Sequence, residues 1–304
     1  MLSSVRAFVR LSRLKFLVGG FLGGAFGTAM AAQLTSRVDL VAYACAQVTI
    51  TAFHLMTHYA NDYFDRACDA RSVRTPYSGG SGALVDGSLS PRVALAAATL
   101  CAGAGVAGIG ALLTVAHAPQ GAGFAVAIAL GAWSYSAPPL RLLARGFGEI
   151  DTAIVVAMLV PLCAYAAQGA ALDARSVAST LPGAAAMFAM MLAIEFPDLA
   201  ADTAGGKRNL VVRIGAARAG RLGTILAVAV YGGAGLAVLV GAPPALALLE
   251  LLTLPLAFGY GRAICAWRRP DRSGDEALAA RGVAFFVVVA SFGMFAYAVP
   301  LRLF

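Results

Sequence analysis

Residues 39–69 have the sequence DLVAYACAQVTITAFHLMTHYANDYFDRACD, in which a long apolar run ends in a cluster of acids. The apolar run, residues 39–61, is long enough to cross a bilayer, since a spanning helix takes about 20 mainly apolar residues. Because lipid offers no partner for exposed peptide groups, such a run must form a helix that bonds its own backbone. The stretch therefore predicts a transmembrane helix with a polar site at one end.

The rest of the chain repeats this apolar pattern. Hydrophobic residues make up 60% of the 304 residues and charged residues 12%, whereas soluble domains carry roughly 25% charged residues. The pattern predicts an all-α, polytopic membrane protein with nine transmembrane helices and no large soluble domain. The predicted helices lie near residues 14–34, 39–61, 92–117, 120–137, 149–169, 177–197, 218–241, 244–265 and 281–301.

The basic residues fall almost entirely on one side of this predicted membrane protein. If the N-terminus is cytoplasmic, 20 of the 23 Lys and Arg residues face the cytoplasm, and only Arg37, Arg175 and Arg302 face the other side. This asymmetry is what the positive-inside rule predicts for a cytoplasmic N-terminus. The net charge of +8 therefore reflects orientation in a membrane, and no soluble module is predicted that would bind nucleic acid.

The first acidic cluster lies at the inner end of the second predicted helix. Asn61, Asp65 and Asp69 are spaced i, i+4 and i+8, so they stack on one helix face, with Asp62 one position away. Carboxylates in this arrangement repel one another unless a cation lies among them. Hard oxygen ligands suit Mg²⁺, which is commonly bound through a few carboxylates together with substrate phosphates.

The second acidic cluster, EFPDLAAD at residues 195–202, lies at the inner end of the sixth predicted helix. Asp198 and Asp202 are again spaced i, i+4. Two acidic helix ends at the same membrane depth are predicted to face each other across a cavity and to share metal ions. Glu195 lies one turn deeper, where an ionisable group is costly in lipid and so is predicted to line an internal site.

Basic residues accompany both clusters. Acids for a metal beside bases for an anion form the arrangement that a diphosphate needs, because metal and guanidinium together neutralise its charge. The alternative is that the bases only set the orientation of cytoplasmic loops, but the acids have no such use. The bases concerned are Arg71 and Arg74 after the first cluster, Lys207 and Arg208 after the second, and Arg141 and Arg145 between them.

Three further motifs allow two interpretations each. The Gly-rich loop, SGGSG at residues 78–82, either presents backbone amides to an anion or is a flexible turn. Tyr135, before the Pro pair that ends the fourth helix, either reaches the diphosphate or anchors the chain at the membrane interface. His54 and His58 have a spacing that can bind zinc, but no third ligand is near in sequence, so a packing or cavity-lining role is favoured.

The acidic motifs resemble those of the UbiA superfamily of intramembrane prenyltransferases. NDYFDRACD, residues 61–69, is similar to the motif N-D-x-x-D-x-x-x-D, and DLAAD followed by GGKRNLVVRIG, residues 198–215, resembles the second D-x-x-x-D motif and its G-K-R segment. Asn209 departs from the family, which often has Thr there. The segments at residues 75–91, 135–142 and 146–151 look most like the menaquinone-pathway branch, which prenylates dihydroxynaphthoate.

The resemblance implies one UbiA-like domain over residues 1–304, with its helices around a central cavity that opens laterally to lipid. It implies catalytic roles for Asp65, Asp198, Asp202 and Lys207. The Mg²⁺ ligands would be Asn61, Asp62, Asp65, Asp69, Asp198 and Asp202. The contacts with diphosphate would come from Arg71, Tyr135, Arg141, Lys207 and Arg208.

These features predict Mg²⁺-dependent transfer of an isoprenyl group from a prenyl diphosphate to an aromatic acceptor, in quinone or related lipid biosynthesis. The site is expected on the cytoplasmic side of a bacterial inner membrane. Two alternatives within enzyme chemistry are an intramembrane terpene cyclase and transfer to a non-aromatic acceptor. A different class, a secondary transporter, would place ionisable residues near the midplane on broken helices, whereas both acidic motifs are predicted at helix ends.

Overall fold

The computed structural model describes residues 2–267 and 272–298, and within these residues the chain is helical with no strand. Short connections join most of the helices, which we number in chain order. The helices are α1 (Leu2–Ser12), α2 (Val18–Thr35), α3 (Leu40–Asp69), α4 (Pro91–Thr114), α5 (Pro119–Ser134), α6 (Gly148–Ile154), α7 (Val160–Ala167), α8 (Ala174–Ser179), α9 (Leu181–Glu195), α10 (Leu199–Ala204), α11 (Leu210–Ile214), α12 (Ala216–Leu239), α13 (Pro244–Leu251), α14 (Leu254–Ala266) and α15 (Arg272–Ala298).

The prediction of an all-α integral membrane protein is confirmed. Among the described residues, seven helical segments are long and apolar enough to cross a bilayer, and α13 with α14 makes an eighth if this bent pair is counted as one span. Helices also occupy all nine predicted positions. The count of nine spans is not confirmed, however, because α5 has only 16 residues and a spanning helix needs about 20. The orientation of the N-terminus stays a prediction.

The ends of several helices differ from their predicted positions. Helix α3 continues to Asp69, eight residues beyond the predicted end, so the whole first acidic motif is helical. Helix α15 begins at Arg272 rather than at residue 281, and residues 299–301 of the predicted helix lie outside the described residues. The charged residues do not end α3, because the helix bonds its own backbone and Asp62 and Asp65 find partners within the protein.

The predicted fifth helix, residues 149–169, is interrupted by a wider turn. A π-helical turn at Val155–Leu159 separates α6 from α7 and comes just before Pro161. Proline has no N–H to donate and its ring crowds the preceding turn. A π turn is one way for a helix to absorb such a residue, and these turns often occur at functional sites. Here Val155 and Val156 of the turn line a cavity inside the helical bundle.

Small residues let the helices approach closely. A Cβ on Gly27 of α2 would overlap the backbone of Pro161 in α7, and one on Gly108 of α4 would overlap Thr49 of α3. Close backbone contact through small residues is the usual means of helix association in lipid, where burial of apolar surface gives no advantage. The resulting bundle encloses a cavity of about 380 Å³ among α2, α3, α5, α9, α15 and the α6–α7 region.

Candidate active site

The two acidic motifs meet at one end of the bundle, with Lys207 between them. Its ammonium nitrogen lies 3.2 Å from Oδ2 of Asp65 and 3.8 Å from Oδ1 of Asp202. The Lys207 side chain is only 13% exposed, and the two carboxylates are more deeply buried. The structure therefore brings together residues from the ends of α3 and α10 and from the segment that follows α10.

The helical spacing of the first motif separates its side chains into two directions. Asn61 donates from Nδ2 to Oδ2 of Asp65 and to Oγ of Ser136, both at 3.0 Å. Asp62, one position off this stripe, forms an ion pair with Arg13 and accepts a hydrogen bond from the Ser81 hydroxyl. Asp65 thus faces the second motif, while Asp62 is bound by residues from two other segments.

The Gly-rich loop contacts acids of both motifs. The backbone N–H of Gly79 donates to Oδ2 of Asp198 at 3.0 Å, and that of Ser81 donates to Oδ2 of Asp62 at 3.2 Å. Gly80 lies between them at φ +68°, and a Cβ there would overlap the Asp69 carboxylate. The loop amides therefore do face anions, but these anions are the carboxylates of the protein itself.

Asp202 is held by donors from two segments. Nδ2 of Asn209 donates to its Oδ2 at 2.7 Å, and the Cys68 thiol donates to its Oδ1 at 3.3 Å. Oδ1 of Asn209 also accepts from the backbone N–H of Val212 at 2.9 Å and so caps α11. By contrast, Oδ1 of Asp198 is buried with no hydrogen-bond partner among the described residues.

The electrostatics of the site follow from its burial. Burial raises the pKa of Asp198 to about 6, and the charge of Asp202 adds to this effect. The pKa of Asp202 is also raised by burial, although Lys207 opposes the shift. For Lys207, burial disfavours the ammonium, but the carboxylates of Asp65 and Asp202 outweigh it and hold its pKa above the usual value. Lys207 therefore stays charged.

Two carboxylates at this end of the bundle form no ion pair among the described residues. Asp62 is paired with Arg13, and Asp65 and Asp202 share Lys207. Asp69 and Asp198 also face the cluster, through their positions beside Gly80 and Gly79. Clustered carboxylates that lack a cation partner favour binding of cations.

The donor set fits Mg²⁺ that is shared with a substrate. Mg²⁺ takes oxygen ligands, keeps several waters, and is usually bound by one or two carboxylates together with phosphate oxygens. Asp65, Asp198 and Asp202 supply such oxygens, and the unpartnered Oδ1 of Asp198 is directed into the protein. Across residues 2–267 and 272–298, no three Asp, Glu, His or Cys side chains form a group that could hold an ion alone. The missing ligands would then come from water and diphosphate.

The predicted anion-binding residues differ in their placement. Lys207 lies inside the acidic cluster. The Arg71 guanidinium lies at the edge of the cluster beside Gly205, and a Cβ atom built on this glycine would be 3.4 Å from it. The side chains of Arg141 and Arg208 are exposed, and the described contact of Arg208 is from its backbone N–H to the carbonyl of Ala144. Among the described contacts, none joins these two side chains to the acidic motifs.

Two functional candidates were not predicted. Arg13 pairs with Asp62, and the ammonium of Lys15 donates to the carbonyl of Pro76 and lies 4.8 Å from the ring centre of Tyr77. In the sequence both bases precede the first apolar run, where orientation in the membrane explains them fully. No local motif marks them, because Arg13 reaches a partner 49 residues away.

The cavity adjoins this cluster and is mostly apolar. Its volume of about 380 Å³ lies within the usual range for ligand sites, about 300–1,000 Å³. His54 and His58 line it, and Nδ1 of His58 lies 2.9 Å from the carbonyl oxygen of Ser12. Its polar end is formed by Arg13, Lys15, Asn61, Tyr77 and Tyr135, and its apolar walls include Ile50, Phe53, Val155, Met187, Met190, Val283 and Phe286.

The chain is similar to known proteins at the levels of family and fold. The model of the UbiA prenyltransferase family matches residues 21–289. A UbiA homolog from Archaeoglobus fulgidus bound to DMAPP and Mg²⁺ has a similar structure, with a TM-score of 0.71 at 16% identity, over 96% of this chain and 99% of that one. No curated protein sequence gives a significant match.

Two further solved structures have the same fold. An apo UbiA homolog from Aeropyrum pernix K1 gives a TM-score of 0.66 at 14% identity, over 93% of this chain and 95% of that one. A digeranylgeranylglyceryl phosphate synthase gives a TM-score of 0.68 at 15% identity, over 97% of this chain and 99% of that one. At such low identities these structures show a shared fold.

Proposed function

Because the chain belongs to the UbiA prenyltransferase family, we propose that it transfers an isoprenyl group from a prenyl diphosphate to an aromatic acceptor with the help of Mg²⁺. The observation that carries the proposal is the meeting of Asp65, Asp202 and Lys207 beside an apolar cavity. The UbiA homolog from Archaeoglobus fulgidus, which has a similar fold, has been solved with DMAPP and with GPP, each together with Mg²⁺, and this supports the class of substrate and the metal.

The acidic cluster and its bases would bind the diphosphate. Mg²⁺ held by Asn61, Asp62, Asp65, Asp69, Asp198 and Asp202 would neutralise the negative charge that grows on the departing diphosphate. Lys207 donates to diphosphate oxygens from inside the cluster, and Arg71 from its edge. Arg141 and Arg208, whose side chains are exposed, would add further contacts with the diphosphate. Tyr135 lies at the boundary between this polar end and the cavity.

The cavity would hold the isoprenoid chain and protect the reactive carbon from water. Its walls carry Phe53, Met190 and Phe286. Aromatic faces attract a positive charge that is shielded from water. Phe53 and Phe286 would therefore stabilise an allylic cation in the cavity. Exclusion of water matters because the cation would otherwise be quenched before the acceptor attacks.

Polar groups on the cavity wall support an acceptor with polar substituents. His54, Thr57 and Asp151 all line the cavity. An isoprenoid chain alone needs only apolar walls, whereas ring hydroxyl or carboxyl groups need hydrogen-bond partners when they are buried. This favours transfer to an acceptor over cyclisation of the prenyl chain on itself.

The finer proposal is a naphthoate acceptor of the menaquinone pathway. Its support is the resemblance of the segments at residues 75–91, 135–142 and 146–151 to that branch. Each of these segments contributes to the site, through Ser81, Tyr135 and Glu149 in turn. The distribution of Lys and Arg supports a site on the cytoplasmic side of a bacterial inner membrane.

The test is a Mg²⁺-dependent assay of the purified full chain with DMAPP, GPP and longer prenyl diphosphates, each with a panel of aromatic acceptors. Asp65→Ala and Asp198→Ala should abolish prenyl transfer, as should chelation of Mg²⁺. Asp86→Ala is the control, because Asp86 lies in the connection that follows α3 but is 43% exposed and pairs with Arg10. Normal transfer by both site variants would overturn the proposal. A hydrocarbon product from prenyl diphosphate alone would instead establish a cyclase.

A further inference from the structure

Two exposed arginines, Arg145 and Arg213, come together where the segment before α6 meets the segment after α10. The guanidinium of Arg213 in α11 donates from Nη1 to the carbonyl oxygen of Arg145 at 3.0 Å. The Arg213 side chain crosses the turn at Gly146, where φ is +75° and a built Cβ would be 2.5 Å from Cδ of Arg213. The contact therefore brings two cationic residues to one place on the surface.

Neither arginine is neutralised by a carboxylate within the part of the chain that the structure describes. The ion pairs there involve other cations. Glu149, the acid nearest to Arg145 in sequence, is buried and accepts from the backbone N–H of Leu210. A guanidinium has several N–H donors, and Arg213 uses only Nη1 for the carbonyl of Arg145. The donors that remain can bind an anion.

An exposed apolar stripe begins directly beside the arginines. Phe147, Ile150 and Ile154 are 51%, 46% and 42% exposed, and their spacing of i, i+3 and i+7 places them on one helix face. They lie in or just before Gly148–Ala167, a segment long and apolar enough to cross a bilayer. The guanidinium of Arg213 lies 5.5 Å from the centre of the Phe147 ring. The stripe therefore runs from the arginines along a membrane-spanning segment.

We propose that Arg145 and Arg213 bind the headgroup phosphate of an anionic phospholipid whose acyl chain packs along the stripe of Phe147, Ile150 and Ile154. Arginine can bind a phosphate through two parallel hydrogen bonds, and basic pockets between transmembrane helices bind anionic headgroups. A free phosphate would use the arginines but has no part that contacts the stripe. The combination of positive charge with exposed apolar surface therefore fits a lipid.

The lipid would bind at a joint that supports the acidic cluster. The backbone N–H of Arg208 donates to the carbonyl of Ala144 at 2.9 Å. The hydrogen bond from Leu210 to Glu149 connects the same two segments. Lys207, which lies between the acidic motifs, directly precedes this joint. A lipid held by one arginine from each segment would stabilise the folded protein, because a ligand that binds only the native state raises the free energy of unfolding.

Thermal unfolding of the full chain in a neutral detergent tests this site. The unfolding temperature is measured as phosphatidylglycerol, or phosphatidylcholine with the same acyl chains, is added. The mole fraction of lipid at half of the maximal rise gives the apparent affinity. We expect tighter binding of phosphatidylglycerol. Arg145→Gln and Arg213→Gln should each weaken this binding by about fivefold, the contribution of one arginine near an anionic surface.

Arg92→Gln is the matched control. Arg92 is an exposed arginine in the first turn of α4, and its replacement removes the same charge far from the stripe. Arg145→Gln keeps the backbone carbonyl that Arg213 contacts, so it tests the charge separately from the joint. Wild-type affinity in both site variants would overturn the proposal, as would an equal loss in Arg92→Gln, because general surface charge would then explain the binding.

Two soluble anions separate a lipid site from other phosphate sites. Inorganic phosphate should not raise the unfolding temperature as phosphatidylglycerol does, and an equal rise would show that the arginines bind a free anion. DMAPP with Mg²⁺ should not change the apparent affinity for phosphatidylglycerol. Competition between them would assign the arginines to the substrate and overturn the proposal. Lipid binding is measured without turnover, so its outcome is independent of the proposed prenyl transfer.

Discussion

The ammonium of Lys207 lies 3.2 Å from the carboxylate of Asp65, although the two residues are 142 positions apart in the chain. Lys207, which follows the second acidic motif, thus neutralises a carboxylate of the first motif. The same ammonium lies 3.8 Å from Asp202, so one cation holds the ends of two helices together. Lys207 therefore serves both the binding of an anion and the assembly of the site.

Replacement of Lys207 by Met should make the fold depend on Mg²⁺. The substitution leaves Asp65 and Asp202 buried without their cation, and removal of one partner from a buried ion pair costs about 3–5 kcal/mol. We expect a lower unfolding temperature in EDTA and a larger rise on addition of Mg²⁺ than in wild type, measured by thermal unfolding in detergent. Arg218→Met is the control, since Arg218 is exposed. An equal response to Mg²⁺ in Lys207→Met and wild type would contradict this role.

Replacement of Gly80 by Ala should damage the site more than the fold. A side chain at the positive φ of Gly80 costs about 1–2 kcal/mol, and its Cβ would also displace the Asp69 carboxylate. Gly87 offers a matched control in the same connection, with φ +73° and no atom within 4 Å of a built Cβ. We expect similar unfolding temperatures for both variants but loss of Mg²⁺-dependent prenyl transfer only in Gly80→Ala. Equal activity of the two would argue against a role for Asp69.

The response to Mg²⁺ should grow as pH rises through about 6, the pKa of Asp198. This pKa lies above the ordinary value of 3.8, so the folded protein without Mg²⁺ holds the proton more tightly than the unfolded chain. Its free energy of unfolding therefore falls as Asp198 ionises between pH 3.8 and about 6. Mg²⁺ needs the ionised form, so protons compete with it at low pH.

Thermal unfolding with and without Mg²⁺ from pH 5 to 8 measures this competition. We expect a small shift at the lowest pH, a larger one above neutrality, and a much flatter profile for Asp198→Asn. That variant should also be more stable than wild type without Mg²⁺ above the pKa of Asp198. A flat wild-type profile would exclude Asp198 as the titrating ligand.

Replacement of Asn209 by Ala should cost both stability and activity. Asn209 donates to Asp202 at 2.7 Å and caps α11 through Val212 at 2.9 Å. A cap and a hydrogen bond to a carboxylate together contribute about 2–4 kcal/mol. We expect a lower unfolding temperature for Asn209→Ala and an intermediate one for Asn209→Ser, which keeps a capping oxygen but does not reach Asp202. Equal stability of Asn209→Ser and wild type would show that the contact with Asp202 contributes nothing.

The features that were predictable are those imposed by the bilayer and by helical spacing. Runs of about 20 apolar residues have few structural alternatives in lipid, and this accounts for the agreement at all nine helix positions. The i, i+4 spacing placed Asn61 and Asp65 on one helix face, and they are hydrogen-bonded at 3.0 Å. The break between α13 and α14 also had a local signal in Pro255, the second residue of α14.

Contacts between distant segments were not predictable from the sequence. The pairs Arg13 with Asp62 and Glu149 with Leu210 join segments 49 and 61 residues apart. Neither pair is marked by a periodic sequence pattern. Each contact depends on how separate segments pack together and not on the spacing of residues along one helix. The same limit applies to Asn209, whose departure from the family pattern gave no indication that it holds Asp202.

The Gly-rich loop links the two acidic motifs through one short segment of backbone. The same five-residue segment is bonded to Asp62 through Ser81 and to Asp198 through Gly79. An incoming anion that accepted the hydrogen bond of the Gly79 amide would displace Asp198 from it. Because Ser81 lies two residues further along the same backbone, its hydrogen bond to Asp62 would weaken as well.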